Sequence, residues 1–354
     1  MITFITDLQF GSTGKGLLAG YLARHNGVRY DGVVTAWAPN AGHTYVEPDG
    51  KKVVNIAMPT SSSIGVVPRV FIGPGSIIHP AQMMVEMKLY GKPDLLCINE
   101  NAAVVSEDHM LREASYGYKI GSTMKGVGEA TVQKIRRHIS FPGDEKILAK
   151  HGLPDELKPF LVTNETYWLR MSQCTNLLVE GAQGYSLGLN AGFWPHCTSR
   201  DCNVHQLISD CGIPGSIMRE HDHEIWGSCR TFPIRVANRY SQNGMQIGTS
   251  GPCYEDQQEL SWEEVGVEPE LTTVTKLPRR IFTFSAHQVS EAVFANGVDK
   301  VFLNFANYIT PKEVRRRINI IESHTPAVVE LIGYGPKAAD IVTRDQWEEQ
   351  YADA

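Results

Sequence analysis

The chain lacks a long apolar run: no stretch of its 354 residues approaches the ~18 apolar positions a membrane-spanning helix needs, so no membrane partner is expected. It also lacks a basic excess. With a net charge of -6 and a pI near 6.1, it is not expected to coat nucleic acid or bind a membrane through a polybasic surface, which leaves room only for a local basic pocket. Any phosphate it holds is then expected to belong to a metabolite. The seven cysteines, scattered from Cys97 to Cys253, do not form a secreted disulfide framework, and no basic-then-apolar leader opens the sequence. A soluble, cytoplasmic protein is the expectation. Cys197 and Cys202 beside His196, and His221 with His223, lack a second ligand pair at zinc spacing and read as packed thiols and strand-alternating histidines. Repeats, low-complexity tracts and an interdomain linker are missing too, so one elaborated domain over residues 1–354 is expected, with enough apolar residues (42%) for a sizeable core.

What the sequence does have is alternation. Short runs rich in Val, Ile and Phe (2–5, 33–37, 70–72, 95–98, 177–179, 300–305 and 328–332) alternate with helical-period stretches at 17–24, 81–90, 157–171 and 286–295. This is the pattern of an α/β protein with a largely parallel central sheet and flanking helices. Ligands of such folds sit beyond the carboxyl ends of the strands. Gly-rich or polar segments follow the runs there, at 11–16, 38–44, 73–75, 116–128, 180–200, 272–280 and 334–336.

The first of these loops follows the first strand and opens a helix. Gly11 and Gly14 let backbone N–H groups turn toward an anion at the helix N-terminus, and Lys15 adds a positive charge. A Walker A loop would need Gly at position 9 and Ser or Thr at 16, where Gln9 and Gly16 stand, so the common P-loop is excluded. His43 lies in a second glycine-containing loop, where an imidazole can donate to a phosphate or purine oxygen.

Together these stretches resemble adenylosuccinate synthetase, which joins aspartate to C6 of a purine nucleotide at the expense of a nucleoside triphosphate. Gln9-Phe10-Gly11-x-x-Gly14-Lys15-Gly16 is similar to that family's Q-W-G-D-E-G-K-G, and Asn40-Ala41-Gly42-His43-Thr44 equals its N-A-G-H-T. Ile72-Gly73-Pro74-Gly75 and Pro80 resemble I-G-N-G and P, Gly121-Ser122-Thr123 resembles G-T-T, and Glu180-Gly181-Ala182-Gln183-Gly184 matches E-G-A-Q-G, with Thr198-Ser199 at the spacing of T-S. Thr275 with Arg279 and Arg280 stands where the aspartate loop T-G-R-R-R-R would be. The resemblance implies a P-loop-NTPase-like α/β fold and Mg2+ as cofactor. It places the triphosphate on Gly14, Lys15, Gly16, Gly42, His43 and Thr44, with Asn307, Gly335 and Pro336 at its base. The nucleotide monophosphate falls to Ser12, Asn40, Thr123, Gln183 and Thr198, and aspartate to Thr275 and Arg279. Lys15 would neutralise the transferring phosphoryl group, His43 would act as general acid toward the phosphorylated oxygen, and the Gly42 carbonyl and position 12 stand where the family holds the metal. By register Arg137, next to Arg136, would be given to the partner subunit's phosphate, which implies a homodimer.

Three departures from the family fall at substrate-reading positions. Ser12 replaces an aspartate that removes the N1 proton of IMP, and serine is no comparable base at neutral pH. A guanine acceptor accounts for the change, because its 2-amino group would be crowded by a carboxylate and can donate to a serine oxygen. Asp7 is then a candidate substitute base or metal ligand, or a structural residue. Leu277 aligns with an arginine that contacts the ribose 2'-hydroxyl, and an apolar side chain there suits a deoxyribose. Finally, the guanine-reading T-K-x-D of the donor site is Asn304-Phe305-Ala306-Asn307, and an asparagine can pair with adenine, so ATP or dATP is the expected donor. Acceptor dGMP, L-aspartate and ATP or dATP define a bacteriophage branch of the family on the route to 2-aminoadenine in DNA, which would work in the host cytoplasm. An adenylosuccinate synthetase acting on IMP and a non-catalytic nucleotide-binding protein are the alternatives; retention of Lys15, His43 and Arg279 argues against the latter.

Overall fold

Each of the seven apolar runs forms a strand of one ten-stranded sheet in the computed structural model, which describes residues 1–25, 27–139, 143–272 and 276–352. In chain order the strands are β1 (Ile2–Asp7), β2 (Gly32–Thr35), the separate hairpin β3 (His43–Val46) and β4 (Lys52–Asn55), β5 (Arg69–Ile72), β6 (Leu95–Asn99), β7 (Leu161–Val162), β8 (Leu177–Glu180), β9 (His223–Arg230), β10 (Lys300–Asn304), β11 (Val328–Gly333) and β12 (Ile341–Thr343). Across the sheet the order is β12-β11-β10-β9-β1-β8-β2-β5-β6-β7. All neighbours are parallel except β12, which runs antiparallel to β11. After β1 the chain winds to one side through β2, β5, β6 and β7, then crosses and builds β9 to β12 on the other. The reversal leaves a crevice beyond the carboxyl end of β1, where open α/β sheets bind ligands.

Both faces of the sheet are covered, which is why its strands read as continuous apolar runs. Ile2 and Phe4 of β1, Val34, Phe71, Leu177 and Val179 face one apolar layer, while Ile5, Val33, Val70, Ile72 and Leu178 face the other. Helices α1 (Lys15–His25), α2 (Pro80–Tyr90), α3 (Val127–Arg136), α4 (Asn164–Met171), α5 (Ala286–Asn296) and α6 (Pro311–His324) connect and flank the strands. No helix among the described residues is long and apolar enough to cross a membrane.

Two elements differ from the sequence expectation. The stretch 157–171, expected as one helix, is divided: Pro159 sits in a short turn, β7 follows, and Thr163 then caps α4 by accepting the Thr166 N–H at 3.3 Å. Strand β9, a direct neighbour of β1, has no counterpart among the apolar runs. Its sequence is interrupted by Gly227, Ser228 and Arg230, all buried for particular reasons. A side chain at Gly227 would press within 2.7–2.9 Å of Leu8, so close approach rather than strand propensity selects the residue.

Gly20 in α1 lies against the fully buried Tyr45 of β3, where a Cβ would overlap the ring. In an open helix glycine-to-alanine is stabilising by ~1 kcal/mol. Here Gly20→Ala is expected to lower stability by about 1–3 kcal/mol through overpacking, measured by urea unfolding. Gly215→Ala is the control, since nothing lies within 4 Å of its would-be Cβ.

Candidate active site

At the carboxyl end of β1 the chain turns around a buried carboxylate. Asp7 Oδ1 accepts the N–H groups of Gln9 (2.9 Å) and Gly11 (3.2 Å), and Oδ2 accepts the Thr13 hydroxyl (2.5 Å) and the Lys15 ammonium (2.8 Å). Four donors thus converge on one side chain that is 1% exposed. This geometry favours the structural reading of Asp7, because both oxygens are engaged within the turn. Gln9, where a Walker loop has glycine, exchanges two hydrogen bonds with the backbone of Arg230 and so ties the turn to β9. The Thr13 carbonyl accepts from Ser228 of β9 and Asn304 of β10, both at 3.1 Å.

The second departure from the Walker pattern has an equally local cause. A Cβ at Gly16 would lie 2.8 Å from the Thr44 nitrogen and 2.9 Å from its oxygen, so the first turn of α1 presses on the backbone of β3 and has no room for serine or threonine. That contact brings His43 over the turn. Its imidazole is buried against the Trp37 ring, with centroids 4.0 Å apart, and Nδ1 is buried without a partner among the described residues. Burial, and then the charge of Lys15, holds its pKa well below the ordinary histidine value. Both causes favour the neutral ring, which carries a single N–H, in the ligand-free protein.

The loops beyond β1, β2, β8, β10 and β11 line a cavity of about 1110 Å³. Single-ligand pockets span ~300–1,000 Å³, so this one is large enough for more than one substrate. Ser12, Gly14, Lys15 and Gly16 line it from the first turn, and Asn40, Gly42, His43 and Thr44 from the second. Thr123, Gln183 and Thr198 form another part of the wall, where the Asn40 amide approaches the Thr198 hydroxyl at 3.5 Å. Asn307, Gly335 and Pro336 join them together with Phe305, and Arg279 closes the ring of expected residues.

Three expected positions stand apart. Arg137 is exposed at the C-terminal end of α3 and does not line the cavity. Thr275 lies outside the described residues. Leu277 is not among the lining residues of the ligand-free cavity either: its N–H donates to the Thr272 hydroxyl at 3.1 Å and its carbonyl accepts the Thr272 N–H at 2.9 Å. Arg280 is likewise internal, paired with Glu259 and donating to the Ser250 hydroxyl and the Gly251 carbonyl.

Sequence reasoning missed Arg230. It is fully buried at the end of β9, with its guanidinium 3.7 Å above the centroid of Phe305, and it donates to the Ser12 carbonyl at 3.1 Å. Both of its terminal nitrogens reach Glu270, which also accepts the Tyr308 hydroxyl at 3.2 Å and, through its carbonyl, the Arg279 N–H at 2.8 Å. The signal was absent because β9 itself was unreadable. Ser12, whose carbonyl is so held, is exposed to the cavity with φ of 58°, a left-handed conformation uncommon for serine.

A turn with four donors on Asp7, a stacked histidine above it and an arginine-gripped serine beside it now invites comparison with known proteins. The adenylosuccinate synthetase family matches residues 4–144 and 141–310. The chain belongs to the adenylosuccinate synthetase family. It is 43% identical to the N6-succino-2-amino-2'-deoxyadenylate synthase of Salmonella phage PMBT28, over 96% of each chain. With the enzyme of that name from Acinetobacter phage SH-Ab 15497 it shares 41% identity, covering 96% of this chain and 93% of the relative. The solved structure of cyanophage S-2L succinoaminodeoxyadenylate synthetase (PurZ), bound to dGMP and dATP as an energy donor, superposes with a TM-score of 0.89 at 40% identity, over 99% of this chain and 98% of that one. Within the adenylosuccinate synthetase family the chain is thus most like these phage synthases, and it is a carbon–nitrogen ligase.

Two outcomes follow from the turn. Asp7→Asn leaves Lys15 buried without a counter-charge and is expected to cost about 3–5 kcal/mol in urea unfolding, with much of the loss restored in Asp7→Asn/Lys15→Met. His43 resists protonation when folded but takes a proton below about pH 6.5 when unfolded, so ligand-free stability should fall as pH drops below that value. His43→Gln is expected to flatten that fall in denaturation curves recorded across the same pH range.

Proposed function

We propose that the enzyme condenses dGMP with L-aspartate, driven by conversion of ATP or dATP to the diphosphate and phosphate, to give N6-succino-2-amino-2'-deoxyadenylate. The observation that carries this reading is Ser12. Its short, neutral side chain faces the cavity, and its hydroxyl has no internal partner among the described residues, so it can accept from guanine's 2-amino group where a carboxylate would crowd it. A relative at 40% identity solved with dGMP supports the acceptor, including its deoxyribose.

In the first step guanine O6 attacks the γ-phosphorus, the nucleoside diphosphate leaves and the N1 proton is lost. In the second the aspartate amine attacks C6, phosphate leaves and the nitrogen gives up a proton. Lys15 and the N–H groups of the turn from Ser12 to Gly16 neutralise the phosphoryl group in transfer, and His43 donates its neutral N–H to an oxygen of that group. Arriving phosphate charge raises the affinity of the imidazole for a proton, so it can become the acid only in the loaded site. Asn40, Thr123, Gln183 and Thr198 hold the acceptor, Arg279 grips an aspartate carboxylate with Thr275, and Arg137 reaches the monophosphate of a second copy in a homodimer.

Mg2+ fits this site in a particular way. Among the described residues no three His, Cys, Asp or Glu side chains are grouped to hold a metal, and Asp7 is engaged by four donors. The Gly42 carbonyl and the Ser12 hydroxyl are neutral oxygens on the cavity wall, which suits an ion whose charge is met by the triphosphate. When bound it would neutralise the β- and γ-phosphates. On the donor side, Asn307 is placed to pair with adenine beside Phe305, Gly335 and Pro336, and the cyanophage relative was solved with dATP as energy donor. Host cytoplasm is the compartment that this substrate set implies.

The test supplies Mg2+, aspartate and ATP or dATP with dGMP, GMP or IMP in turn, and follows diphosphate release and succinylated product. Turnover with dGMP above GMP and IMP is expected; turnover confined to IMP would overturn the guanine reading, and silence with every acceptor would favour a binding protein. Ser12→Asp should lower kcat/KM for dGMP about tenfold or more, the effect of ~1.4 kcal/mol. Asn307→Asp should shift donor use toward GTP in the same assay.

A further inference from the structure

We infer that Arg239, a residue nothing in the sequence singled out, is a further phosphate-binding group that donates in cis to the 5'-phosphate of the acceptor nucleotide. The inference rests on the acceptor reading above. Three other cations on the cavity wall have internal partners: Lys15 pairs with Asp7, Arg235 donates to the carbonyls of Pro252 and His196 at 2.9 Å each, and Arg279 feels the carboxylate of Glu270. Arg239 lines the same cavity; its Nε is buried and unpartnered, as are those of Arg230 and Arg235, but unlike theirs its terminal nitrogens have no hydrogen-bond or carboxylate partner among the described residues either. Leaving a guanidinium nitrogen buried and unpaired is unfavourable, so the position fits an anion that arrives with the ligand.

Its place in the fold says which anion. The short strand Arg239–Tyr240 pairs antiparallel with Gln246–Gly248, and the register shifts between Arg239 and Tyr240, the kind of bulge that re-aims a side chain beside a site. This hairpin is laced to the segment leading into the Gly121–Thr123 turn. The Thr249 N–H donates to the Lys119 carbonyl at 3.2 Å, and Gly248 is so close to the Tyr118 carbonyl that a Cβ would overlap it. A Cβ on Gly121 would sit 3.0 Å from Ser250 Cα, while Asn238, beside Arg239, accepts the Ser250 N–H at 3.1 Å. Arg239 therefore belongs to the wall that carries Thr123, the residue assigned to the monophosphate. Its planar fork of donors matches two oxygens of one phosphate. Lys125, two positions past Thr123, and Lys52 are also cavity cations unpaired among the described residues.

Arg239→Gln is compared with the wild-type enzyme using dGMP and, for binding alone, 2'-deoxyguanosine, which lacks the phosphate. The expected result is a KM for dGMP raised about tenfold or more, with the KM for aspartate and ATP and the affinity for 2'-deoxyguanosine unchanged. Equal weakening of dGMP and 2'-deoxyguanosine, a change confined to the KM for aspartate, or an unaltered KM for dGMP would each overturn the assignment. Arg239→Lys, which keeps the charge without the fork, gives the same comparison if the glutamine variant fails to fold, with a smaller rise expected and an unaltered KM again counting against it. Should the wild-type enzyme turn over IMP and ignore dGMP, the guanine reading fails, and IMP with inosine takes the place of the two guanine compounds in judging Arg239.

Discussion

The buried carboxylate of Asp7 is the interaction on which the site depends. An ionised group taken out of water is tolerated only where donors replace its solvent, and here two backbone N–H groups, a hydroxyl and an ammonium do so within nine residues of chain. Satisfying that one charge bends the chain after β1 and fixes the height of Lys15. It also leaves position 12 at the top of the turn in a left-handed conformation. The carbonyl groups exposed by this curvature are met from neighbouring strands, by Ser228 and Asn304 at Thr13 and by Arg230 at Ser12. A charged residue that looks catalytic by composition is thereby the anchor of the turn.

Much of the architecture was legible because sheets covered on both faces require apolar runs. The parallel strands, the position of the crevice and the two turns that line it could be read from runs, glycines and the lysine, and the cavity does gather Ser12, Lys15, Asn40, His43, Thr123, Gln183, Thr198 and Arg279. What escaped has one physical character: its meaning lies in contacts distant in sequence. Gly227 is a strand residue only because Leu8 lies across it, Arg230 is polar in the core only because Ser12, Glu270 and Phe305 surround it, and Arg239 has no motif around it at all. Leu277 is a further case, since its alignment carries no trace of the two backbone hydrogen bonds that join it to Thr272.

His43 shows how packing changes the role that a motif suggests. In an open loop an imidazole titrates near neutrality; pressed on Trp37 and facing the Lys15 ammonium it is held neutral, with an unfilled nitrogen inside the protein. The close contact between Gly16 and Thr44 is what brings it there, so a missing side chain on the helix and the state of the histidine are parts of one arrangement.

Arg230 is gripped from both ends, by the carbonyl of Ser12 and by the Phe305 ring, with Glu270 joining it to the backbone of Arg279. On the proposed reading, in which Ser12 faces the acceptor and Phe305 the donor's base, a change at position 12 is felt by a guanidinium that also stacks on the donor side. Substitutions in the two pockets consequently share an intermediary and should not combine as independent increments. On this view, an ancestor moving between acceptors would find its path restricted by the donor it was using, so the two nucleotide preferences are expected to be inherited together.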